Sequence, residues 1–103
     1  MSDYPTQDEL ERIEKWKYDD FHGLMSYVRD LWYHPDWGWL QQGELYRIST
    51  AGWSGNEELI AAIGRNFVWW SRFWVIERRG GHYIFANRSV TDRALREFIR
   101  EHI

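Results

Sequence analysis

Cysteine is absent from this sequence of 103 residues. Without thiols the chain forms neither disulfides nor thiolate metal sites, which fits a reducing compartment. Long hydrophobic runs are absent as well, since no stretch approaches about 18 apolar residues and the first ten residues are mostly polar and acidic. A membrane span and a secretion signal are therefore not expected. We predict a soluble, cytoplasmic protein.

A strong charge of one sign is also lacking, because the formal net charge is −3 and the pI is about 5.8. The charges are unevenly spread. Residues 1–42 carry nine acids and four bases, whereas residues 43–103 carry seven acids and nine bases, all of them arginine. Two faces of different potential would give this pattern, although ordinary solvated helix faces are the simpler explanation. The acidic pI also argues against a nucleic-acid partner.

Tryptophan is the abundant residue type, with eight copies, and aromatic residues make up 18% of the chain. Large rings help a small core to hold one structure, and they are also enriched at recognition surfaces. Eight indoles exceed what so small a core encloses easily with every N–H group satisfied. We therefore expect some of the tryptophans to be exposed.

Helix signals recur along the chain. Thr6–Glu9 and Ser54–Glu57 both read as capping boxes, and Asp20 is a cap for a second helix that the His34–Pro35 step ends. A last helix begins near Ser89 or Thr91. Strand signals cover 44–50, the second half of 67–78, and 82–86, with a tight turn at Gly80–Gly81. The predicted order is α-α-β-α-β-β-α.

The fold class predicted from this order is α+β. We expect a small three-stranded sheet with one tight hairpin, packed against about four helices. Residues 1–103 would form a single globular domain, because no repeat or linker interrupts them.

Two polar segments are not required for packing. Trp53–Glu57 opens a helix, whose free N–H groups favour an anion, although the capping box explains the same residues more simply. Arg78–His82 combines arginine forks with glycines that let a ligand approach, although a solvated turn is again simpler. An antiparallel pairing of strands 44–50 and 72–78 would keep the segments apart, whereas a parallel pairing would bring them to one end. The sequence slightly favours the parallel arrangement because a helix connects the strands.

Evidence for catalysis is weak. The four histidines, His22, His34, His82 and His102, lack zinc-ligand spacing, and neither a phosphate-binding loop nor a dinucleotide fingerprint occurs. We expect no metal and no cofactor. The sequence leaves catalysis open but favours a non-enzymatic role, and general acid–base chemistry by His82 is the least implausible catalytic route. Arg72, Trp74 and Arg78 alternate like a nucleic-acid stacking platform, but packing of Arg72 on neighbouring rings is the favoured interpretation.

Four short strings resemble small uncharacterised proteins of bacteriophages and prophages. They are L-W-Y-H-P-D-W-G-W, A-G-W-S-G-N-E-E-L-I, W-W-S-R-F-W and R-G-G-H-Y-I-F, all within residues 31–85. The resemblance implies an accessory phage protein made in the bacterial cytoplasm. It implies no activity and supplies no functional residue.

Our functional hypothesis is a non-enzymatic binding protein that engages a host protein through exposed tryptophans and arginines. The alternative is a small-molecule site for an anionic or nucleotide-like ligand, formed by the two polar segments. A homo-oligomer is possible, and neither a membrane nor a nucleic acid is an expected partner. The candidate contact residues for the two hypotheses are Trp37, Trp39, Trp53, Ser54, Asn56, Arg72, Arg78, Arg79 and His82.

Overall fold

One antiparallel sheet of four strands organises the computed structural model, which describes residues 4–103. The strands are β1 (Trp39–Gln42), β2 (Leu45–Ser49), β3 (Trp74–Arg78) and β4 (His82–Ala86). Their order across the sheet is β1-β2-β4-β3, so β4 pairs with both β2 and β3. The first three residues of the predicted 1–103 domain lie outside the described residues.

Six helices accompany the sheet within residues 4–103. They are α1 (Gln7–Glu14), α2 (Phe21–Leu31), α3 (Pro35–Gly38), α4 (Ser54–Arg65), α5 (Phe67–Phe73) and α6 (Asp92–His102). The fold is α+β, but the prediction of three strands and about four helices is wrong. None of the helices in this part of the chain has the length and hydrophobicity needed to cross a membrane.

The unpredicted strand is β1. Two of its four residues are glutamine, and it forms an edge of the sheet, so its sequence lacks the apolar and β-branched pattern that marks a strand. Gln42 pairs with Leu45, which leaves a two-residue connection. Gly43 supplies the positive φ of 59° that such a tight turn needs. The hairpin is therefore set by turn geometry more than by strand propensity.

The two unpredicted helices are short. α3 is a single turn that starts at Pro35. α5 follows α4 after a break at Asn66, whose ψ of 76° is not helical. The buried amide of Asn66 donates to the carbonyl oxygens of Ile13 and Trp16, each at 3.0 Å, so tertiary bonds fix the position of the break. The strand predicted in the second half of 67–78 begins at Trp74.

The ends of several elements are confirmed. Thr6 and Glu9 form the predicted reciprocal capping box, Asp20 caps α2, and Thr91 caps α6. Strand 82–86 has the predicted bounds. Both residues of Gly80–Gly81 have positive φ, 95° and 80°, as the turn requires.

Helices cover both faces of the sheet. The larger core lies between the sheet and helices α1, α2, α4 and α5, and Tyr46 and Ile48 of β2 point into it. The smaller core lies under α6, where Phe98 packs against Leu45 and Ile84. Tyr46 and Ile48 therefore face one core, whereas Leu45 faces the other. The central strands β2 and β4 have helices on both faces, and two of the exposed aromatic residues, Trp37 and Trp53, lie near one end of β2.

Candidate functional site

A groove lined by aromatic residues lies between α3 and the turn that joins β2 to α4. Its walls are His34, Trp37, Ala51 and Trp53, and its volume is about 330 Å³. Trp37 and Trp53 are 62% and 43% exposed, although large rings are usually mostly buried after folding. We call this feature the aromatic groove. It brings together two of the tryptophans predicted as contact residues.

Trp37 is presented by α3, which is held closely against the end of β2. Pro35 occupies the first helical position, and the N–H of Gly38 donates to the carbonyl of His34 at 3.2 Å. A Cβ atom at Gly38 would lie only 2.5 Å from the carbonyl oxygen of Ser49. Glycine therefore permits the approach that places Trp37 beside the turn after β2.

Trp53 is positioned by that turn, which spans Thr50–Trp53. The N–H of Trp53 donates to the carbonyl of Thr50 at 3.0 Å, and the two central residues, Ala51 and Gly52, have φ values of 56° and 74°. Two positive φ values identify a type I′ turn. The indole packs edge-on against Tyr33, with ring centroids 4.4 Å apart, and it also borders a smaller hollow of about 80 Å³.

Backbone strain is concentrated in the aromatic groove. Among residues 4–103, the two residues other than glycine with positive φ are His34 and Ala51, and both line the groove. A left-handed conformation costs a residue with a side chain about 1–2 kcal/mol. Strained residues cluster at functional sites, so their coincidence with two exposed indoles marks this groove as the candidate site.

Ser54 is not the N-cap of α4, so that predicted capping box is wrong. The cap is Trp53, whose carbonyl accepts from the N–H of Glu57 at 3.0 Å, and no side chain caps the helix. After the type I′ turn, the helix begins at Ser54, one residue earlier than it would if Ser54 were the cap. Asn56 is 1% exposed, and its amide is bonded to both Tyr33 N (2.8 Å) and Tyr33 O (3.0 Å). It therefore connects two segments of the chain and does not face solvent.

The hairpin tip that carries Arg79 lies at the same end of the sheet. Strands β2 and β3 run in the same direction, but β4 lies between them, so the direct parallel pairing favoured from sequence is wrong. The two polar segments nevertheless lie at the same end of the sheet, as that pairing predicted. The N–H of Thr50 donates to the carbonyl of Gly81 at 3.0 Å, so the turn after β2 touches the hairpin tip. Arg78 and Arg79 are exposed there, and His82 is half-buried.

Trp39 and Arg72 do not join the aromatic groove. Trp39 is half-buried and packs against Trp32, with ring centroids 5.3 Å apart. Arg72 lies on α5 and stacks over the rings of Tyr18 and Phe73, at 5.5 Å from each centroid. The packing interpretation of Arg72 is thus confirmed.

An exposed apolar stripe on and just after α5 was not predicted. Phe67, Val68 and Trp74 are 74%, 51% and 40% exposed. The sequence run around them is apolar throughout, and helical spacing within it separates the buried rings of Trp69 and Phe73 from the exposed ones. The sequence contains this helical spacing, but the spacing can be recognised only when the segment is known to be a helix.

A polar network around Glu44 was also missed. The carboxylate of Glu44 accepts from the Asn87 amide at 2.8 Å and lies 2.6 Å from His22 Nε2, whereas His22 Nδ1 lies 2.7 Å from the hydroxyl of Tyr46. The hydrogen bonds from Asn87 and His22 lower the pKa of Glu44 below its usual 4.5. Burial, together with the Glu44 charge, raises the pKa of Tyr46 to about 12. The residues are too far apart in sequence to form a recognisable motif.

No group of three or more His, Cys, Asp or Glu side chains within residues 4–103 is arranged to hold a metal ion.

No protein-family model, curated protein or solved structure matches this chain. The resemblance to bacteriophage proteins therefore stays a prediction from the sequence. The function is inferred from the geometry of the aromatic groove and of the residues around it.

Proposed function

We propose that the protein is a non-enzymatic binding protein whose aromatic groove and adjacent hairpin tip engage a partner protein. Trp37 and Trp53 carry the proposal, because indoles left exposed beside a groove are typical of the few residues that dominate binding energy. The strained backbones of His34 and Ala51 support it. In the phage setting suggested by the sequence, the partner is a host protein of the bacterial cytoplasm.

The partner's chemistry follows from the charges beside the groove. Arg78 and Arg79 are exposed, and neither forms an ion pair within residues 4–103. The walls of the groove itself are mainly aromatic and apolar. A complementary segment therefore presents an aromatic, aliphatic or proline anchor flanked by aspartate or glutamate. The anchor fills the groove, and the carboxylates pair with the arginines.

A displayed library of random peptides tests this proposal directly. Selection on the intact chain should enrich sequences that combine an apolar anchor with neighbouring acidic residues. Selected peptides should lose about tenfold in affinity for Trp53→Ala and for Trp37→Ala, as expected when a contact residue worth more than 1 kcal/mol is truncated. Rising salt should weaken binding further, because the flanking pairs are exposed.

Phe67→Ala supplies the matched control, since Phe67 is the most exposed large aromatic side chain described and lies on α5, away from the groove. It should leave peptide affinity unchanged. Near-ultraviolet circular dichroism should confirm that each variant keeps its fold. The proposal is wrong if selected peptides bind the Trp37→Ala, Trp53→Ala double variant as tightly as the unmodified chain.

A further inference from the structure

The sheet face that α6 covers is apolar in one half and polar in the other. Under α6, Leu45, Ile84 and Ala86 pack around Phe98. Towards the end of the sheet where the hairpin tip lies, the same face carries four polar side chains. These are Arg47, Ser49, His82 and Arg78. We call these four residues the basic cluster.

Strand register brings the basic cluster together. His82 is the cross-strand partner of both Ser49 and Arg78, and cross-strand partners share a face. Arg47 precedes Ser49 by two residues and therefore points to the same side. Its Cα atom lies about 12 Å from that of Arg78, given two strand spacings and one two-residue repeat. Two long arginine side chains span such a distance, so both guanidinium groups can reach the space over His82.

Ser49 fixes the orientation of the His82 ring. Its hydroxyl oxygen lies 2.7 Å from His82 Nδ1, and Ser49 is only 3% exposed. In the tautomer in which the Ser49 hydroxyl donates to Nδ1, the other ring nitrogen, Nε2, carries the proton and acts as a donor. A Cβ atom at Gly80 would lie 3.3 Å from Nε2. Glycine at position 80 therefore leaves Nε2 without a side chain crowding it from the turn.

No carboxylate neutralises the basic cluster within residues 4–103. Arg47 and Arg78 form no ion pair there, and Nε of Arg47 is buried without a hydrogen-bond acceptor. Glu77, next to Arg78 on β3, points to the opposite face and accepts from the hydroxyl of Tyr83 at 3.2 Å. Nε of Arg72 and the indole nitrogens of Trp32 and Trp39 are also buried without a partner, so the unmet donor of Arg47 supports an external acceptor only together with the unpaired charge of the basic cluster.

We propose that the basic cluster binds a phosphate group, either as the free ion or as a monoester. Two arginine forks and one imidazole N–H supply the charge-assisted hydrogen bonds that a tetrahedral dianion accepts. A carboxylate, with one charge and two oxygens, would match a single fork. The sequence predicted an anionic ligand at the hairpin and the start of α4. The proposed site lies on the sheet face beside the hairpin and does not include the start of α4. It shares Arg78 with the surface proposed to meet the partner's carboxylates, but it does not require the aromatic groove.

The test is a nuclear magnetic resonance titration of the full chain with inorganic phosphate, using chloride at equal ionic strength as the reference. The Nε–H signal of Arg47 and the ring nitrogens of His82 should shift and saturate. Arg78→Gln should weaken binding about tenfold, as the loss of one charge-assisted pair predicts. Ser49→Ala should also weaken binding, because it frees the imidazole without removing a charge. Arg88→Gln, an exposed arginine before α6, is the matched control and should bind like the unmodified chain.

A second titration with glycerol phosphate identifies the source of the phosphate group. Tighter binding than that of inorganic phosphate supports an ester, and weaker binding supports the free ion. Shifts that rise linearly without saturating, an unchanged affinity in Arg78→Gln, or acetate binding as tightly as phosphate would each overturn the proposal. Trp53→Ala should bind phosphate normally, so a failure here is distinguishable from a failure of the proposed partner binding.

Discussion

Ala51 has a φ of 56°, in the region where a side chain meets its own backbone. Ala51→Gly should therefore stabilise the protein by about 0.5–1 kcal/mol. Relief of left-handed strain contributes about 1–2 kcal/mol, and the added freedom of glycine in the unfolded chain removes about 0.5–1 kcal/mol of that gain. Urea unfolding at constant pH measures the difference.

Ala61→Gly is the matched control for Ala51→Gly, because Ala61 is also exposed but lies inside α4. There glycine should destabilise the protein by about 1 kcal/mol, as in any helix interior. The same substitution should therefore raise the free energy of unfolding at position 51 and lower it at position 61. If both variants lose stability equally, Ala51 is not strained in solution, and one support for the candidate site is lost.

Glu44 gives the protein a predictable pH dependence. Hydrogen bonds from Asn87 and His22 lower its pKa below 4.5 in the folded state. A carboxylate with a lowered pKa stabilises the fold fully above its unfolded pKa, and this contribution is lost as the pH falls through the folded pKa. The difference in unfolding free energy between the unmodified chain and Glu44→Gln should therefore shrink as the pH falls below about 5.

Asn87→Ala provides an intermediate case, since it removes one of the two donors and leaves the carboxylate in place. Its stability should fall less steeply with acid than that of the unmodified chain. Urea unfolding measured across the acidic range gives all three profiles. Parallel profiles for Glu44→Gln and the unmodified chain would mean that the network does not stabilise the fold.

The contact between the turn after β2 and the hairpin tip depends on Gly81. Gly52 and Gly81 have similar φ values, 74° and 80°, but only at Gly81 would a Cβ atom collide with another residue, at 2.2 Å from Thr50 Oγ1. Gly52→Ala should cost about 1–2 kcal/mol from backbone strain alone. Gly81→Ala should cost more, because Thr50 is buried and β-branched and cannot move aside freely.

Thermal unfolding of both alanine variants measures this difference. Because the two turns are hydrogen-bonded to each other, Gly81→Ala should also disturb the signals of Ala51 and Trp53, whereas Gly52→Ala should leave the signals of the Arg78–His82 tip in place. Equal losses of stability at the two glycines would indicate that the turns do not pack together in solution.

The ends of helices and strands could be predicted where residues close in sequence form the cap or turn. Elements that form through contacts with distant residues could not be predicted. The capping residue Thr6, the cap Asp20 and the glycine pair at 80–81 act through neighbours a few residues away, so their patterns are visible in the sequence. β1 was missed because an edge strand with two glutamines forms by pairing with β2, which is not a local property. Ser54 was misassigned because the unusual φ of Ala51 could not be foreseen.

The candidate site is a property of the whole molecule, and it was predicted only in part. Trp37, Trp53 and the arginines of the hairpin tip were singled out from composition, and they do lie at one end of the sheet. The role of Arg47 was not foreseen. It joins the basic cluster because β4 inserts between β2 and β3, and a strand order of that kind depends on packing across the entire chain.

The two cores on opposite faces of the sheet should differ in their resistance to opening. Phe98, 3% exposed, is the one buried side chain that α6 contributes. It is one of four buried residues in the smaller core, against sixteen in the larger core on the other face. Phe98→Ala should lower the unfolding free energy by about 3–5 kcal/mol. It should also let the amides of α6 exchange with solvent faster than those of α4, since the helix then undocks without the larger core opening.

Hydrogen exchange measured by mass spectrometry tests this order of opening, and Phe67→Ala is the control. Phe67 is 74% exposed, so its removal should change stability by less than about 0.5 kcal/mol and leave the exchange of α6 unaltered. If α6 and α4 in Phe98→Ala lose protection together, the two cores unfold as one cooperative unit. In that case the basic cluster, which shares its face of the sheet with α6, is as rigid as the aromatic groove. If α6 opens first, the phosphate site should lose affinity in Phe98→Ala while the aromatic groove keeps its own.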